Sequence, residues 1–337
     1  MRKIYNNALL KQKVVDFNQS LFSKRTFEMP LVSLGNMLKK RNKQTLYQLD
    51  TPTVNAYLLK IIRNYQRIIN ADGDEMKKLI KEFNLILPHK AMTTEFHEAI
   101  VDAMRYKELR EKEFLEFIQD MNIKNCIYCH AQLAITVVDG YYLIANRAAG
   151  AVAGDVRSRR GLFQLDHRYP KSKFPFLCTS FYNLYPVCAN CNIVKSKKDS
   201  AFELYAETDD LEVFTFKLTD ASVIAYETSK KHQDLVIQIE PVNQTAKSAE
   251  NYLEMFDIQE IYDTQKDLAE ELLHKKTVYN NPYKKRLIDN FKLLFNDQSI
   301  IDRMIIGNYD QPEDVLKRPM AKFVQDIARD IELIPPL

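Results

Sequence analysis

Four of the five cysteines in this 337-residue chain fall into two identical spacings, Cys126-Ile-Tyr-Cys129 and Cys188-Ala-Asn-Cys191. Two such pairs supply four thiolates, the donor set of a closed tetrahedral zinc site, and each pair can bite a metal from one tight turn. Between the pairs lies Asp166-His167 at the end of an apolar, strand-like lead (Leu162, Phe163, Leu165). Asn183 then enters a short apolar run, and Asn192 and Lys195 follow the second pair at once. Four sulfurs on one ion would pin both ends of the intervening segment to one point and hold Asp166-His167 near Asn192. Two other readings of the first pair are weaker. Cys126-Ile-Tyr-Cys129-His130 also matches the c-type haem attachment string, which needs export and leaves the second pair unexplained. A thioredoxin-like redox pair lacks a surrounding βαβ pattern.

Taken together, Asp166-His167, Asn183, Asn192 and Lys195, flanked by the cysteine pairs, resemble the HNH endonuclease family, the ββα-metal nucleases. The resemblance covers about residues 124–198. It implies phosphodiester hydrolysis with one divalent metal. On that resemblance His167 is the general base, and Asp166 and Asn192 hold Mg²⁺ or another divalent cation. Asn183 bonds loop backbone and steadies the strand that carries the base. The catalytic set is therefore His167, Asp166, Asn183 and Asn192, beside a structural Zn²⁺ on Cys126, Cys129, Cys188 and Cys191. Asn stands at the last motif position, where some relatives have His, which leaves the preferred ion open. The family also implies DNA as substrate, with RNA as the alternative, a role in phage defence or restriction, and a homodimer or a partner ATPase. The competing reading is a non-catalytic zinc module that binds nucleic acid or protein and has no use for His167 or Asn192. His130 borders the zinc pairs and is an alternative ligand.

The elements that must position these residues are legible in outline. Hydrophobic content of 46% and charged content of 28% are those of a globular protein. No apolar run approaches a membrane span and no signal peptide is evident, so the expectation is a cytoplasmic protein with no membrane partner. In a reducing compartment paired cysteines read as metal ligands. Net charge is only +3, yet residues 121–200 hold eleven Lys and Arg against four Asp and no Glu, or +7, leaving −4 for the remainder. A basic block on the motif suggests a polyanion surface. Its candidates for nucleic-acid contact are Arg157, Arg159 and Arg160, in a small-residue loop running from Arg147 to Gly161, with Arg168, Lys171 and Lys195 beyond.

The expected fold class is α+β: a central ββα-metal core with its zinc site at 121–205, a helical region at 1–120, and a small sheet plus helices at 206–337. Periodicity predicts helices over Thr53–Ile69, Glu75–Phe83 and Thr94 to about Asp120. It predicts a hairpin of Ala134–Val138 and Tyr141–Ala145 about Asp139-Gly140, and strands in Leu211–Leu218 and Leu235–Ile239. Helices are expected again over Ile258–His274, Arg286–Phe295 and Arg318–Ile331. His89 and His97 read as structural or surface histidines. Cys178, among Phe174, Phe176, Leu177 and Phe181, reads as a packed thiol.

Overall fold

The computed structural model describes residues 2–23, 25–146, 150–196, 198, 202–242, 246–291 and 298–336. Its strands, in chain order, are β1 (Ile4–Tyr5), β2 (Ile135–Tyr141), β3 (Val156–Leu162), β4 (Gln164–His167), β5 (Leu184–Val187), β6 (Tyr205–Ala206), β7 (Phe214–Leu218) and β8 (Ile237–Pro241). They pair as β1–β6, β2–β3, β4–β5 and β7–β8, each a two-stranded sheet. The rest is mainly helix, so the chain mixes helices with small sheets, compatible with α+β.

The β4–β5 ribbon is antiparallel, with Asp166 opposite Tyr185 and His167 opposite Leu184. Directly after β5 comes a short helix, Ala189–Lys195. The segment thus runs strand, 16-residue loop with two 3₁₀ turns, strand, helix. β5 is buried along its whole length, and its four residues, Leu-Tyr-Pro-Val, are apolar or aromatic on both faces. A strand covered on both sides needs that composition.

Helices of the first hundred residues pack on the loop between β4 and β5, with Phe83 stacked on Phe176 and Ser180 Oγ donating to the Ile68 carbonyl. Thr51–Arg63 starts at Asp50, whose carboxylate accepts from the Thr53 amide, with proline in the first turn. The predicted single helix to Ile69 breaks at Asn64 and resumes over Tyr65–Ile69. Gly73–Asn84 is capped by Asp72 in the same way. The long helix predicted from Thr94 is instead interrupted after Ala103. Arg105 takes φ 60°, and its guanidinium donates to the Glu28 carbonyl and Ser33 Oγ, contacts more than 70 residues away that a local period cannot signal. The chain resumes as short helical pieces from Tyr106 to Asp120.

Other boundaries shift for similar reasons. The N-terminal region is not purely helical, because β1 pairs in parallel with β6. Asp139-Gly140 makes no turn: β2 runs through it, with a register irregularity, and pairs with β3 rather than with Tyr141–Ala145. The stretch predicted as a loop is therefore strand β3 over its last residues, which include Arg157, Arg159 and Arg160. Its beginning, Arg147 to Ala149, lies outside the described residues. The ribbon packs on the Phe114–Asp120 helix through Gly161, where a Cβ would meet Leu115 Cδ2 at 2.9 Å and the Phe163 ring at 3.1 Å. Phe214–Leu218 and Ile237–Pro241 do pair. The predicted Ile258–His274 helix is two, Ile258–Asp263 and Lys266–Val278. Asn281–Asn290 begins before the predicted Arg286, and residues 292–295 of that prediction lie outside the described residues. Ala321–Asp330 fills the last predicted span. One continuous apolar cluster runs from Leu10 to Ile334 and includes the cysteine pairs. No helix among the described residues is long and apolar enough to cross a membrane.

Candidate metal centre and the Asp-His strand end

Cys126 and Cys129 lie on the turn that follows the Phe114–Asp120 helix. The His130 amide donates to the Cys126 carbonyl at 2.9 Å, and Cys126 N–H to the Gln132 carbonyl at 2.8 Å. Asn125 anchors this turn to the C-terminal region, its Nδ2 donating to the Val315 and Arg318 carbonyls at 2.8 and 3.0 Å. Tyr252 and Tyr262 donate their hydroxyls to the Tyr128 and Cys129 carbonyls. The second pair comes from the helix start after β5. Cys188 is the N-cap of Ala189–Lys195, and the Cys191 amide points at its Sγ at 3.5 Å. The Ile127 amide donates to the Pro186 carbonyl at 3.3 Å, stitching the first turn to β5.

These bonds bring all four buried sulfurs within 4.8 Å of one another. A tetrahedral zinc with Zn–S of about 2.3 Å needs sulfurs about 3.8 Å apart. The four sulfurs lie close to that spacing, so the cluster can hold a metal ion such as zinc. Among the described residues it is the one grouping of three or more potential ligands of this kind. His130 is buried beside it, and burial lowers its pKa well below the ordinary value. It is not a member of the sulfur cluster. Cys178 lies apart, fully buried, its thiol pushed up to about 12 by desolvation.

At the end of β4 the structure brings together some of the predicted residues and separates others. Asp166 is buried, 6% exposed. Its carboxylate Oδ2 accepts from Tyr128 Oη at 2.7 Å and lies 2.9 Å from Lys195 Nζ, which is 3.2 Å from Oδ1. Lys195 Nζ also donates to the His167 carbonyl at 2.9 Å. Lys195 is fully buried. It therefore does not stand on the surface as the predicted phosphate contact; the side chain turns inward because a carboxylate and a carbonyl are there to take its protons.

His167 faces the other way, as alternation along a strand requires. Its ring lies 4.8 Å from that of Tyr106, and Nε2 is 3.1 Å from the Cys178 carbonyl oxygen. A carbonyl has no proton to give, so Nε2 carries the hydrogen and Nδ1 keeps the lone pair. Desolvation first, then the nearby Lys171 charge, lowers the His167 pKa to about 3. The imidazole is neutral at any ordinary pH, but it is only 6% exposed.

Asn183 is fully buried and binds the loop back on itself. Oδ1 accepts from the Tyr169 amide at 2.7 Å, and Nδ2 donates to the Tyr169 and Leu177 carbonyls at 3.2 and 3.0 Å. Together with the Arg168 amide on the Asn183 carbonyl, these bonds close the loop next to His167. Asn192 is half-buried on the helix, one turn before Lys195.

The predicted nucleic-acid residues divide. Arg157 and Arg160 are exposed on β3, with Arg160 3.6 Å from Asp139. Arg159 is tied down by Gln119 at 2.7 Å and Glu116 at 3.4 Å. Arg168 is largely buried, its guanidinium 4.9 Å above the Tyr169 ring. Lys171 lies 4.5 Å over the Tyr106 ring, and burial lowers its pKa. Sequence reasoning missed Tyr128 and Tyr106. Tyr128 sits inside the first C-x-x-C, where its placement could have drawn notice; Tyr106 had no signal at all.

No family model, no curated protein and no solved structure matches this chain.

Proposed function

We propose that the chain is a zinc-stapled, metal-dependent HNH-type endonuclease that hydrolyses phosphodiester bonds in DNA. The observation that carries this reading is the order strand, loop, strand, helix. Asp166 and His167 sit at the first strand's end, Asn183 closes the loop, Asn192 rides the helix, and four sulfurs clamp the helix start to the preceding turn.

The donor chemistry suits a hard cation. Asp166 already draws a positive charge, the Lys195 ammonium, to 2.9 Å of its oxygen. Asp166 and Asn192 offer the oxygen atoms that would hold a divalent ion such as Mg²⁺. When bound, such an ion supplies charge neutralisation at the phosphate and at the leaving 3′-oxygen. The chain's own residues supply the rest. His167, with Nε2–H held by the Cys178 carbonyl, has its lone pair on Nδ1, the atom that would take a proton from water. Burial keeps that imidazole unprotonated, at the cost of basicity. Asn183 fixes the loop whose Cys178 carbonyl sets the ring's orientation. Arg157 and Arg160 offer phosphate contacts that position the polynucleotide and carry no sequence information.

A second reading is favoured by one observation. His167 is almost fully buried and Asp166 is already neutralised by Lys195. Both residues could serve only to build the fold of a non-catalytic zinc module. Supercoiled plasmid, with a structured RNA in parallel, incubated with Mg²⁺ separates the two. Cleavage by the wild type and its loss in zinc-loaded His167→Ala supports the nuclease. Equal nicking by both proteins, or by neither, supports the binding module.

A further inference from the structure

We propose that Lys195 is the protein's own cation at Asp166, and that a divalent ion enters only by displacing it. The inference rests on the nuclease reading above and adds a residue that sets the site's metal affinity.

An ammonium does not go to zero exposure without a strong reason, because desolvating it is costly unless it is paired and its protons are used. Lys195 has both. Its Nζ reaches both Asp166 oxygens, at 2.9 and 3.2 Å, and the His167 carbonyl at 2.9 Å. Three acceptors match the three protons of an ammonium. Tyr128 Oη adds a neutral donor to Asp166 Oδ2 at 2.7 Å. The carboxylate is therefore fully engaged, by one positive charge and one hydroxyl, with little exposure left to water. A divalent cation approaching Asp166 would meet a like charge within 3 Å in a desolvated setting. The two cannot share the carboxylate, because repulsion at that distance is large where water does not screen it.

Geometry also gives Lys195 a way out. It is the last residue of its helix, and Ser196 follows with φ 46°, so the helix ends at this side chain. Withdrawal would require movement of one helix terminus and no break in the four-sulfur clamp. That clamp holds the other end of the helix, through Cys188 and Cys191. Tyr128 lies between Cys126 and Cys129, so the sulfur clamp holds its backbone in place beside Asp166. In this proposal Lys195 is the half of the pair that withdraws and Tyr128 the half that stays.

The test uses the full zinc-loaded protein and Mn²⁺ as the probe. Mn²⁺ binding is titrated by electron paramagnetic resonance in wild type, Lys195→Gln, Lys195→Arg and Asp166→Asn. The expected result is at least tenfold tighter, Asp166-dependent binding in Lys195→Gln, with Lys195→Arg returned towards the wild-type value. A second measurement needs no variant of Lys195. Lysine acetylation followed by mass spectrometry should find Lys195 protected in metal-free wild type and labelled at saturating Mn²⁺. Asp166-dependent binding of equal strength in wild type and Lys195→Gln, or unchanged protection at saturation, overturns the inference and leaves the nuclease reading standing. Absence of Asp166-dependent binding in every protein overturns both.

Discussion

The sulfur cluster and the Asp-His strand end meet on the same hairpin, yet they are built in opposite ways. The cluster uses residues three apart in sequence, Cys126 with Cys129 and Cys188 with Cys191, each pair set by a local turn. The strand end draws its partners from afar: Tyr128 and Lys195 for Asp166, and Cys178 and Tyr106 for His167. A local device can be read from spacing. A device assembled by packing cannot, because nothing near Asp166 in the chain announces which cation will neutralise it. The lesson for function is that a recognisable motif can be present in order while its side chains are engaged in contacts the motif does not describe.

Breaking the local device should have the largest effect. Removing the metal with a chelator, or replacing Cys188 with Ser, is expected to cost several kcal/mol, since binding energy of a structural zinc is folding energy. Thermal unfolding with and without chelator, alongside metal analysis, measures it. Loss of metal without a fall in the midpoint would mean that the apolar cluster alone holds the hairpin.

That contrast also explains what could be read in advance. The mainly helical flanks, the strand-loop-strand-helix order and the clustering of the four cysteines are legible because each depends on a short period or a fixed spacing. The break at Arg105 was not, since its reason lies in Glu28 and Ser33. Nor was the path of β2 through Asp139-Gly140, a dipeptide that favours a turn locally but is overruled by pairing with β3. Lys195 was misplaced for the same reason: on the helix alone it looks like a surface cation, and only the position of Asp166 turns it inward.

On the packed side of the comparison, Asn183→Ala should be next in size. It removes three hydrogen bonds in a fully buried place and leaves backbone groups of Tyr169 and Leu177 unpaired. A loss of about 2–4 kcal/mol is expected, read by urea denaturation of the zinc-loaded protein. A change below about 0.5 kcal/mol would mean that water or the loop itself replaces those bonds.

His167 gives a pH signature of comparable scale. Its folded pKa is about 3 against an ordinary 6.5, so the unfolded chain binds the extra proton. The stabilisation is fully present above pH 6.5 and falls as pH drops from 6.5 towards 3, by on the order of a few kcal/mol. Acid loosening of the thiolates is common to wild type and His167→Gln, so the difference between their stability curves isolates the histidine. Parallel curves would show that residue 167 is not buried as a neutral ring.

Smaller effects sharpen the picture of the arm that carries the arginines. Gly161→Val should cost about 1–3 kcal/mol, because a side chain there collides with Leu115 and Phe163. Arg157→Ala with Arg160→Ala should leave stability within about 0.5 kcal/mol, since both are exposed, while lowering the salt slope of DNA binding by up to about two. Unchanged salt dependence would remove β3 from the nucleic-acid surface.

The claim beneath all of these is that four sulfurs gather one metal and thereby fix the hairpin on which Asp166 and His167 sit. X-ray absorption at the zinc edge of the purified protein tests it most directly. The account predicts one zinc per chain with four sulfur neighbours at about 2.3 Å. A metal-free protein, or a zinc bound by nitrogen or oxygen in place of any of Cys126, Cys129, Cys188 and Cys191, would contradict it.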